Sequence, residues 1–241
     1  MSESEREGQP IGDAYQQATK YRRGSGPRRP AAQGAPAEGR RSLPPPSTQG
    51  GEGLWTVLQG RRSVRDFRRE AIGREELAQL LWATQGITLR AQGYSFRAAP
   101  SAGACYPIDT YVVVNRVEGL EPGVYRYDVE SGELELRRRG DLSGAIAAAC
   151  LDQEMAADAA AVFAWAAVPA RSKGRYRERA YRYIYLDAGH IGENLHLAAT
   201  ALGLGCCAIG AFFDDEVNAL LGLDGLTETA AYLSVVGRPA G

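Results

Sequence analysis

Imidazole is scarce in this chain of 241 residues, with only His190 and His196, and thiols are few, with Cys105, Cys150, Cys206 and Cys207. The histidines are six apart, which on a helix turns them to different faces, so a shared metal is not expected. The cysteine spacing fits no zinc pattern, and vicinal Cys206-Cys207 is not a CxxC redox pair. No apolar run approaches the roughly 20 residues a bilayer span requires. The start, Met-Ser-Glu-Ser-Glu-Arg-Glu, is followed by no apolar signal core. Charge is nearly balanced, at −1, so whole-chain electrostatics give no reason to expect nucleic acid or an anionic membrane. These absences predict a cytoplasmic protein with reduced thiols, no metal, no membrane and no nucleic-acid partner. What is present, 44% hydrophobic and 24% charged residues, suits a globular chain.

Composition divides the chain near Gly53. Residues 1–53 hold seven of the twelve prolines, with Pro44-Pro45-Pro46, many Gly, Arg and Ser, and few large apolar side chains. Such a segment buries too little surface to offset its ordering entropy. It reads as a mostly disordered arm, with a short helix near Ile11 to Tyr21, or as an arm that docks a partner. Residues 54–241 read as one domain. Helices are expected over Leu54–Gln59, Arg74–Thr84 (ended by Gly86), Ala145–Ala149 and Tyr181–Leu202, and over Glu216–Leu221 with Asp214 or Asp215 as cap. Strands are expected over Tyr111–Asn115, Ala161–Val168, Cys206–Phe212 and Ala230–Gly237, with a hairpin joining 123–128 to 133–137 across Ser131-Gly132. Hairpins mixed with helical crossovers make the class α+β.

Four segments could carry chemistry. Arg61-Arg62-Ser63-Val64-Arg65-Asp66-Phe67 gathers three guanidinium groups and a hydroxyl, a donor set suited to phosphate, although charge runs are often only solvated faces. Pro100-Ser101-Ala102-Gly103-Ala104-Cys105-Tyr106-Pro107 is built of small residues that let a flat ligand approach the backbone; it also reads as an ordinary turn-rich loop. Gly203-Leu-Gly-Cys-Cys-Ala-Ile-Gly210-Ala-Phe212 follows a helix and enters a strand, the wrong order for a Rossmann or Walker phosphate loop. Gly237-Arg238-Pro239 adds one more arginine after the last strand.

In this order and spacing the segments resemble the nitroreductase-like flavoprotein superfamily, nearest its SagB-type dehydrogenase branch, which includes azoline dehydrogenases of ribosomal peptides. The matching set also takes in Arg179-Ala-Tyr-Arg-Tyr183 and Asp187-Ala-Gly-His190, and the resemblance covers about Leu54 to Pro239. It implies an antiparallel-rich central sheet flanked by helices, with FMN in a cleft at a homodimer interface. Carried over, Arg61 and Ser63 hold the phosphate and ribityl end with Arg62 beside them, and Arg238 closes on the phosphate. Arg65 approaches the N1–C2 edge of the ring, where a cation favours the reduced flavin. Pro100, Ser101, Ala102 and Gly103 belong to the loop that meets the ring from the partner chain. Ile209, Gly210 and Ala211 bring backbone amides toward N5, the hydride-accepting atom.

One departure concerns the reaction. Azoline dehydrogenases of the branch carry a Lys-Tyr pair before Arg-Ala-Tyr-Arg-Tyr; the pair here is Arg175-Tyr176. Arginine stays protonated and is a poor base. Lys173 could serve only if its loop shifts, and Tyr176 could move a proton or simply pack beside the flavin pocket. The expectation is ping-pong hydride transfer through FMN on a modified peptide or other natural-product intermediate, with possible biosynthetic partner proteins. The alternatives are an NAD(P)H-dependent reductase of nitroaromatics or quinones and a non-catalytic scaffold in a biosynthetic complex. His190 reads as a core histidine with a hydrogen-bond partner, Glu193 and Asn194 as dimer-facing or capping groups, and Cys206 and Cys207 as small buried fillers.

Overall fold

The computed structural model of the chain describes residues 10–23, 38–91 and 93–241. The elements of the first half are α1 (Ile11–Ala18), β1 (Arg40–Arg41), α2 (Leu54–Gly60), β2 (Phe67–Arg68), α3 (Arg74–Gln85), β3 (Ile87–Ala91), β4 (Tyr94–Arg97) and β5 (Ile108–Val114). There follow β6 (Gly123–Asp128), β7 (Glu133–Arg139), α4 (Ser143–Ala149), α5 (Met155–Asp158), β8 (Ala161–Ala167) and α6 (Ala170–Tyr176). The chain closes with α7 (Ala180–Ala201), β9 (Gly205–Ile209), α8 (Asp214–Leu221) and β10 (Thr229–Pro239).

Strands β1, β7, β6, β5, β8 and β10 lie side by side in that order, and β9 and β2 both pair with β10. All these pairings are antiparallel. The wholly apolar β8 takes the centre because a strand there is covered on both faces. Alternation sends Phe163 and Trp165 to one face, where they meet Leu77, Leu80 and Leu81 of α3 and Ile184, Ile191 and Leu195 of α7. Val162, Ala164 and Ala166 go to the other face, with Ile146 of α4 and Val217, Leu220 and Leu221 of α8.

Helix α7 matches its expected span almost to the residue. Ile184, Ala188, Ile191, Leu195 and Ala199 form its buried stripe. Gly192 lets α7 lie close against β10, since a Cβ there would stand 2.7 Å from the Tyr232 ring. The same stripe corrects the reading of His190. Two residues past Ala188, it falls about 200° round the helix and is exposed. His196 is the buried histidine. Cys206 and Cys207 are buried fillers as expected.

Other sequence expectations shift. Phe213, not an aspartate, precedes α8. Asp214 and Asp215 sit in its first turn, taking the Tyr21 N–H (3.1 Å) and Lys20 (2.9 Å) respectively. The hairpin β3–β4 and the short β1, β2, α5 and α6 were not anticipated. The helix expected near Ile11 to Tyr21 is present and shorter. The described parts of the proline-rich arm lie on the fold. Arg23 bonds Glu216 (2.9 Å), and β1 pairs Arg40 with Glu135 of β7. The rest of the arm lies outside the described residues. Among the described residues, no helix is long and apolar enough to cross a membrane.

Candidate functional site

The expected phosphate cluster lies where α2 runs out onto β9. The Arg61 N–H closes the last turn of α2 on Val57 (2.8 Å), and the chain then extends. Ser63 bridges Cys206 in parallel, and Val64 N–H donates to the Cys206 carbonyl (2.9 Å). Val64 and Phe67 pack onto Gly205, where a Cβ would stand 2.8 Å from Val64. Val64 and Phe67 turn inward together onto β9, which leaves Ser63 and Arg65 exposed on the loop and Arg61 half-buried beside them. Neither Arg61 nor Arg65 makes a side-chain hydrogen bond or ion pair among the described residues. Arg62 differs from its expected place beside them. Its guanidinium turns back to the Gln59 and Arg61 carbonyls (2.9 and 2.8 Å) and caps α2.

Arg238 reaches the same corner through β10. Gly237 pairs with Gly205, and Arg238 with Arg68 of β2. Two strand spacings separate Ser63 from Val236, roughly 10 Å across the sheet. The Arg238 guanidinium forks onto both Glu76 oxygens (2.8 Å each), and Glu76 also accepts the Gly73 N–H (2.7 Å) at the start of α3. Gly210, just past β9, is exposed, and a Cβ there would meet nothing within 4 Å.

His196 of α7 is buried beneath this corner, its Nδ1 without a partner among the described residues. Burial holds its pKa below the ordinary value, opposed by Glu193 and reinforced by Arg61. Sequence reasoning missed it, and the α7 stripe was the signal that could have found it.

The Ser101 loop forms a second centre at the other end of α7. The Ser101 hydroxyl donates to Asp187 Oδ2 (2.6 Å), the Ala102 N–H donates to Asp187 Oδ1 (3.2 Å), and Tyr106 N–H donates to Ser101 Oγ (2.9 Å). Asp187 is buried and was not anticipated as a site residue. Because the Ser101 proton is already given to Asp187, the loop offers a flat ligand its backbone and small side chains rather than that hydroxyl. Gly103 holds φ 59°, and Ala104 and Tyr106 are also left-handed, so the backbone folds back tightly here. Arg175 donates to the Gly103 carbonyl (3.1 Å), and a Cβ on Gly103 would collide with the Tyr176 hydroxyl. The sequence pair Arg175-Tyr176 therefore lies on the sequence loop Ser101–Gly103. Tyr176 also packs edge-on against Tyr183, with centroids 4.7 Å apart.

Lys173 stands differently. Its ammonium is bonded to Asp13 of α1 (2.9 Å) and to Glu178 (3.1 Å), and the bond to Asp13 is the main cause of its raised pKa. Asp13 also takes the Tyr181 hydroxyl. A lysine so held is a cation and not a base at neutral pH.

The two centres are spaced along α7. Asp187 and His196 are nine residues apart on α7, roughly 13.5 Å along its axis. Exposed apolar side chains accompany both. Trp55 of α2 is 80% exposed, Leu186 of α7 53%, and Tyr94 of β4 65%. Asn194, expected to cap or face a dimer, bonds the Ala83 carbonyl of α3 (2.9 Å).

A profile of the nitroreductase family matches residues 58–238. The chain is 37% identical over 185 residues to a Methanocaldococcus jannaschii protein described as a nitroreductase, covering 77% of this chain and 90% of that one. It is 35% identical over 161 residues to the trifolitoxin-processing protein TfxB of Rhizobium leguminosarum bv. trifolii, covering 64% of this chain and 43% of TfxB. A solved structure described as a nitroreductase from Anabaena variabilis superposes with a TM-score of 0.72 at 35% identity, covering 83% of this chain and 41% of that one. This chain thus spans less than half the length of TfxB and of the Anabaena protein.

Proposed function

The chain belongs to the nitroreductase family of oxidoreductases, and on that footing we propose that it is an FMN-dependent, SagB-type dehydrogenase-like enzyme working as a homodimer. One observation carries the reading. Arg61 and Arg65 flank Ser63 on a loop strapped to β9, and neither guanidinium has a carboxylate among the described residues. Cations without internal partners, beside a hydroxyl and an open Gly210, fit a phosphate-tailed planar cofactor. Arg61 and Ser63 would hold the phosphate end. Arg65 would favour negative charge on the ring, and Arg238 would share its fork between Glu76 and the ligand. Bound FMN would supply two-electron hydride chemistry in two half-reactions.

The Ser101 loop would cover the ring from the partner chain. The separation of the two centres on α7 and the exposed Trp55, Leu186 and Tyr94 support a site built by two chains. Asp187 fixes that loop, and Arg175 and Tyr176 close on it. Tyr176 is the side chain there with a proton to move, since Arg175 remains charged and Lys173 is paired.

The substrate is a peptide or other natural-product intermediate, a reading supported by the similarity to TfxB, described as a trifolitoxin-processing protein. Biosynthetic partner proteins fit the same likeness. The similarity to the Methanocaldococcus jannaschii protein favours a second reading, an NAD(P)H-dependent nitro or quinone reductase. The missing free base favours a third, a non-catalytic scaffold. Absorbance of the purified protein, with FMN titration and dithionite bleaching, is the first test. Yellow protein that bleaches is expected; colourless protein that cannot be reconstituted would leave only the scaffold. NAD(P)H oxidation with a nitroaromatic acceptor would favour the reductase. Turnover of a heterocycle-bearing peptide without NAD(P)H supports the dehydrogenase.

A further inference from the structure

We propose that the arginines leading from the end of α6 into α7 form a rim that recruits an acidic segment of a peptide substrate; this deepens, and rests on, the reading of the site as peptide-modifying. In a chain of net charge −1, residues 171–182 carry six basic side chains and one acidic one. The nearby carboxylates are already engaged. Arg171 forks onto Asp109 (2.6 and 2.9 Å), and Lys173 takes Asp13 and Glu178. Arg175, Arg177 and Arg179 are exposed, and none has a carboxylate within 4 Å among the described residues.

Surface arginines elsewhere are commonly matched. Arg40 meets Asp128, Glu133 and Glu135, and Arg139 meets Glu38 and Glu121. The unmatched group gathers beside Tyr176, and its first member, Arg175, is bonded to the Gly103 carbonyl of the loop in the candidate site. Arg177 also holds φ 50° and ψ −137°, a conformation L-residues rarely adopt. Strain of this kind persists where the surroundings over-determine it and concentrates at working sites. Here it turns the chain sharply from α6 into the short 3-10 turn Arg177–Arg179.

Forked guanidinium groups match carboxylates, but a single exposed pair contributes little. Several arginines in succession therefore select a run of acidic residues over a lone carboxylate. A peptide fits better than nucleic acid. The chain as a whole is not basic, and the ring beside the rim, Tyr176, already meets the Tyr183 ring edge-on and has the Arg175 guanidinium over it.

The test uses the full chain saturated with FMN. Fluorescence anisotropy follows a labelled glutamate-rich peptide, the same peptide with glutamine at each glutamate, and a labelled oligouridylate. The glutamate peptide is expected to bind about tenfold tighter than the glutamine one, and to lose this advantage at high salt. The double variant Arg177→Asn, Arg179→Gln is expected to weaken the glutamate peptide about tenfold while FMN affinity stays unchanged. The two-peptide comparison on the unaltered chain does not depend on the variant folding. Equal binding of both peptides, an unweakened variant, or tighter binding of oligouridylate would overturn the rim. Peptide discrimination in a chain that takes up no FMN would support the rim and overturn the flavin reading alone.

Discussion

The two ends of α7 differ in what their polar groups have left to bond. At the Asp187 end the loop's own donors have acceptors, since the Ser101 hydroxyl and the Ala102 N–H share the Asp187 carboxylate and the Tyr106 N–H donates to the Ser101 oxygen. At the His196 end Arg61 and Arg65 have no acidic partner among the described residues, and a buried imidazole nitrogen has no partner either. A closed network holds a shape before any ligand arrives, whereas unmatched donors wait for one. The first end is therefore a preorganised wall and the second a binding corner. The two should fail in different ways when cut.

The largest effect is expected at the closed end. Asp187→Ala leaves the Ser101 hydroxyl and the Ala102 N–H without their acceptor and should lower stability by about 2–3 kcal/mol. Urea denaturation measures it. A loss under about 0.5 kcal/mol, the range of an ordinary surface change, would mean the wall is held by something else.

Arg61→Ala probes the open end and should show the opposite pattern. FMN affinity is expected to fall by about 1.5–3 kcal/mol, the scale of a charged hydrogen bond. Stability without ligand should stay within about 0.5 kcal/mol, because the side chain has no internal partner to lose. Fluorescence titration paired with denaturation reads both quantities. Unchanged flavin affinity would remove Arg61 from the cofactor site.

Arg238 lies between these cases, a predicted ligand group that is already forked onto Glu76. Glu76→Gln keeps an acceptor for the Gly73 N–H and releases the guanidinium. If Arg238 serves the phosphate, FMN should bind tighter by about 0.5–1 kcal/mol, the scale of a part-exposed ion pair. Weaker or equal binding in the titration would assign Arg238 to tethering α3 to the end of β10.

Much of this contrast was legible beforehand, for identifiable reasons. The span of α7 followed from an apolar stripe sustained for five turns, and β8 from an unbroken apolar run. Both are signals that tertiary packing reinforces. The cluster Arg61–Ser63–Arg65 was legible as residue types. Its seat on β9 was not, because that depends on Val64 and Phe67 locking onto Gly205 across the fold. That Arg62 turns back onto α2 was not legible, because where α2 ends decides which guanidinium its last carbonyls meet. Asp187 was visible only as part of a motif, its partners lying 85 and 86 residues away. Where the described parts of the arm rest was not legible, because composition does not register partners supplied by α8 and β7.

The smallest effect expected is a pH dependence at the open end. Burial keeps the folded pKa of His196 below the ordinary histidine value near 6.5, with Glu193 opposing and Arg61 adding to the shift. As pH falls, the unfolded chain therefore takes up this proton first. The stability it carries is full above the unfolded pKa and declines as pH drops through the folded one, by at most about 1.4 kcal/mol per pH unit between the two. The melting temperature should fall as pH drops below about 6.5, and His196→Phe should flatten that fall. An identical slope in the variant would mean that the imidazole takes up its proton at the same pH in the folded and the unfolded chain. Saturating FMN sharpens the comparison. A phosphate drawn to Arg61 would offset the guanidinium beside His196 and ease its protonation, shrinking the acid loss in the unaltered chain but not in His196→Phe.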